Sequence, residues 1–256
     1  MPQASADLGV YKAQAPENMN YDPRERVYVA QPGFLPMFGR TAATRYLDEI
    51  HRLARGVVDE GESFVGFVPP TGVVATPVRA IEAAEVAALV QAIRDRLALR
   101  VRYQSMDQPT PLSLVLSPHA LGFDGLRWHV RAWCHSRRVF RDFAIGRLEL
   151  DGVATDGAAV DPESDVGWTT LVPMVLVPHP KLSPDQQKAV MRDYGMSDGR
   201  LVLQCRKAML FYTLRHLNLE SLQVSDHPVQ QHVVVQNRDE VARWVSEDRQ
   251  GNNAAT

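Results

Sequence analysis

Between residues 100 and 150 four β-rich runs, RVRYQSM, PLSLVLSPHAL, LRWHVRAWCH and RVFRDFAIGRLEL, follow one another with the turn signals QPTP, FDG and HSRR between them. Ahead of them, residues 79–99 place Ile81, Val86, Leu89, Ile93 and Leu97 at helical spacing, with arginines near the C-terminal end where they suit the helix dipole. Short strands at that spacing after a single helix predict a small five-stranded barrel or a curled sheet.

On the N-terminal side, Ala4, Leu8, Tyr11 and Ala15 form one stripe and predict a short helix. NMNYDPRERVYVA alternates around a DPRE turn and predicts a hairpin. TAATRYLDEIHRLAR predicts a helix from Thr41, its N-cap, to Arg55, with Gly56 ending it. The turn-rich GVVDEGESFVGFVPPTG predicts a linker and a boundary near residue 70. Beyond the acidic, glycine-bearing stretch 151–167, strands and helices alternate. Ser183 caps the first of these helices, Pro184 fits its first position, Gln186 closes a capping box and Gly195 ends it. That region predicts an α+β fold of ferredoxin-like flavour.

The chain's 28 basic and 30 acidic residues leave a net charge of -2, so the overall charge does not mark a nucleic-acid binder. Of the basic residues only four are lysines, so positive charge comes as guanidinium, the group suited to bidentate phosphate contacts and stacking. No run of eighteen apolar residues occurs and the N-terminus lacks a signal-peptide pattern; a cytoplasmic protein without membrane contact is expected. Cys134 and Cys205 sit in strand-like segments outside any ligand spacing, predicting reduced, buried thiols, no metal site and no cofactor. Among catalytic signatures there is no paired carboxylate, GxSxG, P-loop or HExxH, so an enzyme using His119, His129 or His135 as acid or base is the less favoured alternative.

Residues 125–147 concentrate six arginines and two histidines against one aspartate. Alternation along LRWHVRAWCH puts Trp128, Val130, Ala132 and Cys134 on a core face, and Arg127, His129, Arg131, Trp133 and His135 on the other. Ser117 and His119 share a face of the preceding strand, and Arg141 and Arg147 share one of the following strand. The three strands are expected to pool Ser117, His119, Arg131, Trp133, Arg141 and Arg147 into one basic site with an aromatic ring for stacking. Two alternatives stand beside it: Arg127, Arg137 and Arg138 serve solubility, and Arg131 pairs internally with Asp142.

The same residues carry a resemblance. Trp128-His129-Val130 stands where the WYL-domain family has Trp-Tyr-Leu, RVFRDFAIGRL resembles that family's second basic strand, and YQSM and SPHAL are similar to the variant in regulators found beside phage-defence operons. VPHPKLSP, RDYGM and AMLFYTLRHLNL resemble the extension that accompanies WYL domains and mediates dimerisation. The resemblance implies an Sm-like barrel sensing a nucleic acid or nucleotide, in a homodimeric repressor with an N-terminal winged helix-turn-helix. It adds Trp128 and His129 to the candidate ligand-binding residues.

PQASADLGVY resembles the recognition helix and MNYDPRERVYV the wing, which implies Gln3 and Ser5 facing operator DNA, and Arg24 and Arg26 near its backbone. A surface amphipathic helix fits α-helical residues 2–14 equally. The helices expected ahead of a recognition helix are not in this sequence, which keeps open a sensor or interaction module without DNA binding of its own. The expected organisation is a partial winged helix-turn-helix at 1–38, a helical linker at 39–78, the WYL barrel at 79–155 and the C-terminal extension at 168–248.

Overall fold

The computed structural model describes residues 2–35, 37, 43–154 and 160–253, with side chains from 5 to 248 within those ranges. Two compact units divide the chain, residues 1–76 and 77–256. The first begins with α1 (Pro2–Gln14), followed by an antiparallel hairpin of β1 (Met19–Asp22) and β2 (Val27–Ala30). Asp22 closes the DPRE turn by accepting from the Arg24 and Glu25 amides, and Arg26 takes a positive φ. Buried Asn18 donates to the Tyr11 hydroxyl and to the Leu35 carbonyl and accepts from the Leu35 amide, so one side chain ties α1 to the chain leaving the hairpin. After it comes α2 (Ala43–Ala54); Thr41, expected as its cap, lies outside the described residues. Most of residues 57–82 form no regular element, apart from a short 3-10 turn at Glu60–Glu62.

The second unit opens with α3 (Ala83–Asp95), shorter at both ends than the apolar periodicity predicts. Arg96 adopts a left-handed conformation, and both its amide and that of Leu97 return to the Ala92 carbonyl, which stops the helix and turns the chain into a strand. The strands are β3 (Leu99–Tyr103), β4 (Leu112–Phe123), β5 (Trp128–Cys134), β6 (Val139–Ala144) and β7 (Leu148–Val153). They pair antiparallel in the order β6-β5-β4-β3-β7. Leu89 and Ala92 of α3 join Leu99, Val101, Leu116, Val130 and Ala132 in the core beneath this sheet.

The sheet corrects the barrel expectation, because among the described residues β6 and β7 do not pair and remain its two edges. A bulge interrupts the β4–β5 ladder: Pro118 faces Ala132 and Ala120 faces Arg131, leaving His119 as the extra residue. Pro118 has no amide to give the ladder, which suits it to such a break.

The C-terminal region runs α4 (Val166–Thr169), β8 (Leu171–Pro178), α5 (Pro184–Asp193), β9 (Leu201–Arg206), α6 (Leu210–His216), β10 (Val233–Val235) and α7 (Arg238–Asn253). The Ser183–Gln186 capping box forms as the sequence predicts. Its sheet has three strands in the order β10-β8-β9, each pairing antiparallel. The α/β alternation is present, with three strands in this sheet among the described residues. Helices α6 and α7 bury Leu210, Leu214 and Val241 against Val172, Met174 and Leu176 of β8. Cys134 is buried and Cys205 half-buried, both as free thiols, and burial pushes the Cys205 thiol up from its ordinary pKa.

Candidate functional site

Strand pairing decides where the basic residues point. Arg131 faces Asp142 across the β5–β6 ladder, whereas Arg141 faces Ala132. Cross-strand partners share a face, so Arg131 and Arg141 lie on opposite faces of the sheet, and the single pooled site expected from the sequence divides into two.

On the first face the residues meet in a buried charge cluster. Arg131, 2% exposed, donates from Nε to Asp165 Oδ2 (2.8 Å) and from Nη2 to Asp165 Oδ1 (3.0 Å). Its Nη1 donates to Asp142 Oδ1 (3.3 Å), and Nη2 lies 3.6 Å from Asp248 Oδ1. Asp165 also receives His119 Nε2 at 2.9 Å and caps α4 by accepting from the Trp168 amide. Since a carboxylate only accepts, His119 carries its proton on Nε2 there. The rings of Phe140 and Trp168 meet the His119 ring edge-on and close the cluster off.

Three carboxylates around one guanidinium compete for it, and their acidities separate. Burial raises Asp165, but hydrogen bonds from His119 and Arg131 outweigh that and hold it at about 2. Burial raises Asp142 above the usual carboxylate range, with the Arg131 charge opposing. Asp248 is raised as well, by burial first and then by the charges of Asp142 and Asp165, against the pull of Arg131.

The other expected site residues on this face are also enclosed. Ser117 is buried and its hydroxyl pairs with His135 Nε2 at 2.8 Å; Trp133 packs edge-on against Phe140. His129 donates from Nε2 to Asp124 Oδ2 (2.9 Å), lies against the Tyr212 ring, and keeps a buried Nδ1 that has no hydrogen-bond partner. The face expected to be open and basic is therefore covered by α4, α6 and α7. Trp128, expected in the core, is 47% exposed, because it begins β5 at the sheet's end and packs on Phe123 instead.

Around the far side, Arg141 and Arg147 come together with Arg137 on a cavity of about 300 Å³. All three guanidinium side chains are half-buried, and among the described residues none of them makes an ion pair. Leu112, Leu114 and the edge-to-face pair Tyr103–Phe143 supply an apolar wall, and Ser105 and Gln108 line the polar rim. Such a hollow resembles the anion sites that arginine builds in its several guanidinium donors and a ring to stack on, although the carboxylate-bearing Asp107 also lines it. Asp142 reaches the lining of this cavity too. Sequence reasoning found Arg141 and Arg147 but set Arg137 aside as a solubility residue and used Tyr103 and Ser105 only as part of YQSM. It missed Asp165 and Asp248, which are distant in sequence and carry no local motif.

Of the expected DNA-facing residues, Ser5 is exposed on α1 and Arg24 and Arg26 are exposed in the hairpin turn; the Gln3 side chain lies outside the described ones. Among the described residues no helix is long and apolar enough to cross a membrane, and no group of three or more His, Cys, Asp and Glu is placed to hold a metal ion.

Three family models match the chain. They are described as the BrxR transcriptional regulator winged helix-turn-helix domain, over residues 1–52, the WYL domain, over 84–150, and the BrxR transcriptional regulator C-terminal dimerization domain, over 171–241. Together with the five-stranded sheet and its arginine pocket they define the class, a WYL-domain transcriptional regulator. The DNA-binding transcriptional repressor CapW of Stenotrophomonas maltophilia is 64% identical over 250 residues, covering 98% of this chain and 84% of that one. CapW of Pseudomonas aeruginosa is 40% identical over 242 residues (94% and 80% covered), and CapW of Escherichia coli 36% over 244 residues (94% and 80%). The chain belongs to the CapW family of transcriptional repressors.

Proposed function

We propose that this protein is a homodimeric, cytoplasmic DNA-binding repressor whose grip on its operator is set by a nucleic acid or nucleotide effector held in the arginine pocket. The observation that carries this reading is the set of three half-buried arginines, Arg137, Arg141 and Arg147, around one cavity, none of them in an ion pair among the described residues although Asp107 and Asp142 also line it. Holding unpaired arginines in a half-buried site is unfavourable unless an anion completes it. At about 300 Å³ the cavity is at the small end of ligand sites, so it suits one nucleotide or the end of a strand.

In this reading residues 1–38 read DNA, with Gln3 and Ser5 on the helix and Arg24 and Arg26 at the hairpin. Residues 39–78 link that part to the sensor at 79–155, and residues 168–248 join two copies. The relatives are named DNA-binding repressors, which favours binding over catalysis as the work of this chain. The expected site contracts to Arg141 and Arg147 with Arg137. Ser117, His119, His129, Arg131 and Trp133 act as its buried support, and Trp128 stands exposed at the sheet's end. Effector control requires the effector to favour one of two states of the dimer.

The test is fluorescence anisotropy of short labelled single strands against the chain, over a salt series, with Arg141→Ala and Arg147→Ala beside it. Each substitution should weaken binding and flatten the salt slope by about one unit. Binding indifferent to both substitutions would remove the pocket from the account, and a duplex from upstream of the protein's own gene, unmoved by the protein, would remove the operator.

A further inference from the structure

Asp107, in the loop between β3 and β4, lines the arginine cavity without pairing with its arginines. Among the described residues no ion pair joins it to Arg137, Arg141 or Arg147, and nothing donates a hydrogen bond to its carboxylate. Asp142, the other acidic residue of the lining, stands opposite Arg131 in the β5–β6 ladder and is bonded to it there. The loop that carries Asp107 is held by its own hydrogen bonds. The Gln104 backbone amide donates to the Arg147 carbonyl (3.2 Å), which ties the loop to the arginine side of the hollow. Gln104 Nε2 donates to the Ser105 and Gln108 carbonyls (2.7 Å each), and the Asp107 backbone amide donates to Ser105 Oγ (3.3 Å).

We propose that Asp107 reads the base of the effector, and that this base is guanine. The proposal rests on the effector reading above and adds which nucleotide the pocket takes.

A cavity that holds three arginines and a carboxylate apart suits a ligand with an anionic end and an edge of N–H donors. A nucleotide has both: its phosphate meets the arginines and its base reaches the acidic side. An ionised carboxylate only accepts, through two oxygens side by side. Guanine offers two adjacent donors on its Watson–Crick edge, N1–H and the N2 amino group, so it satisfies both oxygens at once. Adenine and cytosine place a ring-nitrogen acceptor beside their amino group, and thymine flanks its single N3–H with carbonyls. Each of these sets an acceptor against a carboxylate oxygen and leaves it unpaired. The half-buried Tyr103 ring, met edge-on by Phe143 at 5.1 Å between centroids, is the surface for stacking. Neither stacking nor the arginine–phosphate contacts distinguish one base from another, so the choice falls to Asp107. Its charge also weakens the pull of the arginines on any phosphate, a cost in affinity that only the base it bonds recovers.

Fluorescence anisotropy with labelled single-stranded DNA pentamers tests this, using d(GTGTG), d(TTTTT) and d(ITITI), in which inosine keeps N1–H and lacks the N2 amino group. The wild type should bind d(GTGTG) about tenfold or more tightly than d(TTTTT), the range one bidentate base contact supplies, with d(ITITI) between them. Asp107→Asn replaces one acceptor oxygen with a donor and removes the charge. Its preference for d(GTGTG) over d(TTTTT) should fall to about twofold, and its hold on d(TTTTT) should tighten as the repulsion goes. An Asp107→Asn protein that weakens on all pentamers together and keeps the wild-type preference assigns Asp107 a structural role and overturns the proposal. A wild type that binds the pentamers equally overturns it too, and both results leave the effector reading standing. A wild type that binds none of them overturns both readings. Should Asp107→Asn not fold, inosine decides on the wild type alone: d(ITITI) held as tightly as d(GTGTG) overturns the two-donor contact.

Discussion

Arg131 in β5 and Asp165 at the start of α4 are joined by two parallel hydrogen bonds, 2.8 and 3.0 Å, across 34 residues of chain. That pair fastens the five-stranded sheet to the C-terminal region from inside and turns the family's basic strand partly into a structural element. Its energetic meaning is asymmetric: a complete buried pair adds little over an apolar replacement, but a half-pair is costly.

Arg131→Ala should therefore act on folding before it acts on any ligand. It leaves Asp165, Asp142 and Asp248 without their shared cation, and a loss of about 3–5 kcal/mol is expected, read as a lower urea midpoint. An Arg131→Ala protein as stable as wild type would show that the cluster is not a structural fastening.

Gly167 sets how closely α4 approaches this cluster. A Cβ there would lie 2.8 Å from Arg131 Nη2 and 3.0 Å from Asp248 Oδ1. An arginine end can usually swing away, but this one is pinned by carboxylates on several sides. Gly167→Ala should cost about 1–3 kcal/mol, as overpacking does, and circular-dichroism melts of the two proteins would measure it. Equal melting temperatures would mean that the cluster yields more easily than its hydrogen bonds imply.

The carboxylates predict opposite responses to pH. Asp165 is held at about 2 in the folded protein, below its ordinary 3.8, so its contribution is complete above 3.8 and is lost as the pH falls from there toward 2. Asp142 is raised, so its contribution is complete below the ordinary carboxylate value and is lost as the pH rises through its elevated folded value. Urea midpoints measured from pH 2 upward should fall steeply at the acid end in the wild type. Asp142→Asn should keep that acid limb and lose part of the decline on the other side; a wild-type profile flat at the acid end would contradict the Asp165 assignment.

Dimerisation through residues 168–248 predicts a mass of two chains in sedimentation velocity at micromolar concentration. Isologous pairing of that region suits a two-fold operator. A strictly monomeric boundary across that concentration range would reject it.

Local rules were enough for much of the chain. The Ser183 capping box, the DPRE hairpin, the strands between residues 99 and 153 and the Arg/His-rich character of β5 and β6 all follow from spacing, turn residues and caps, which act over a few positions. Trp128-His129-Val130, YQSM and SPHAL were enough to name the family. Tertiary structure alone decided what the basic residues do. The β5–β6 register sends Arg141 to the face opposite Arg131, and a shift of one residue would have reversed that, because side chains alternate with period two. The bulge at His119, the cover laid over β5 by the C-terminal helices, and the arrival of Asp165 and Asp248 at Arg131 all depend on contacts between distant segments. Parity within a strand is a local property; which face is covered, and by whose carboxylates, is fixed only when the chain has packed.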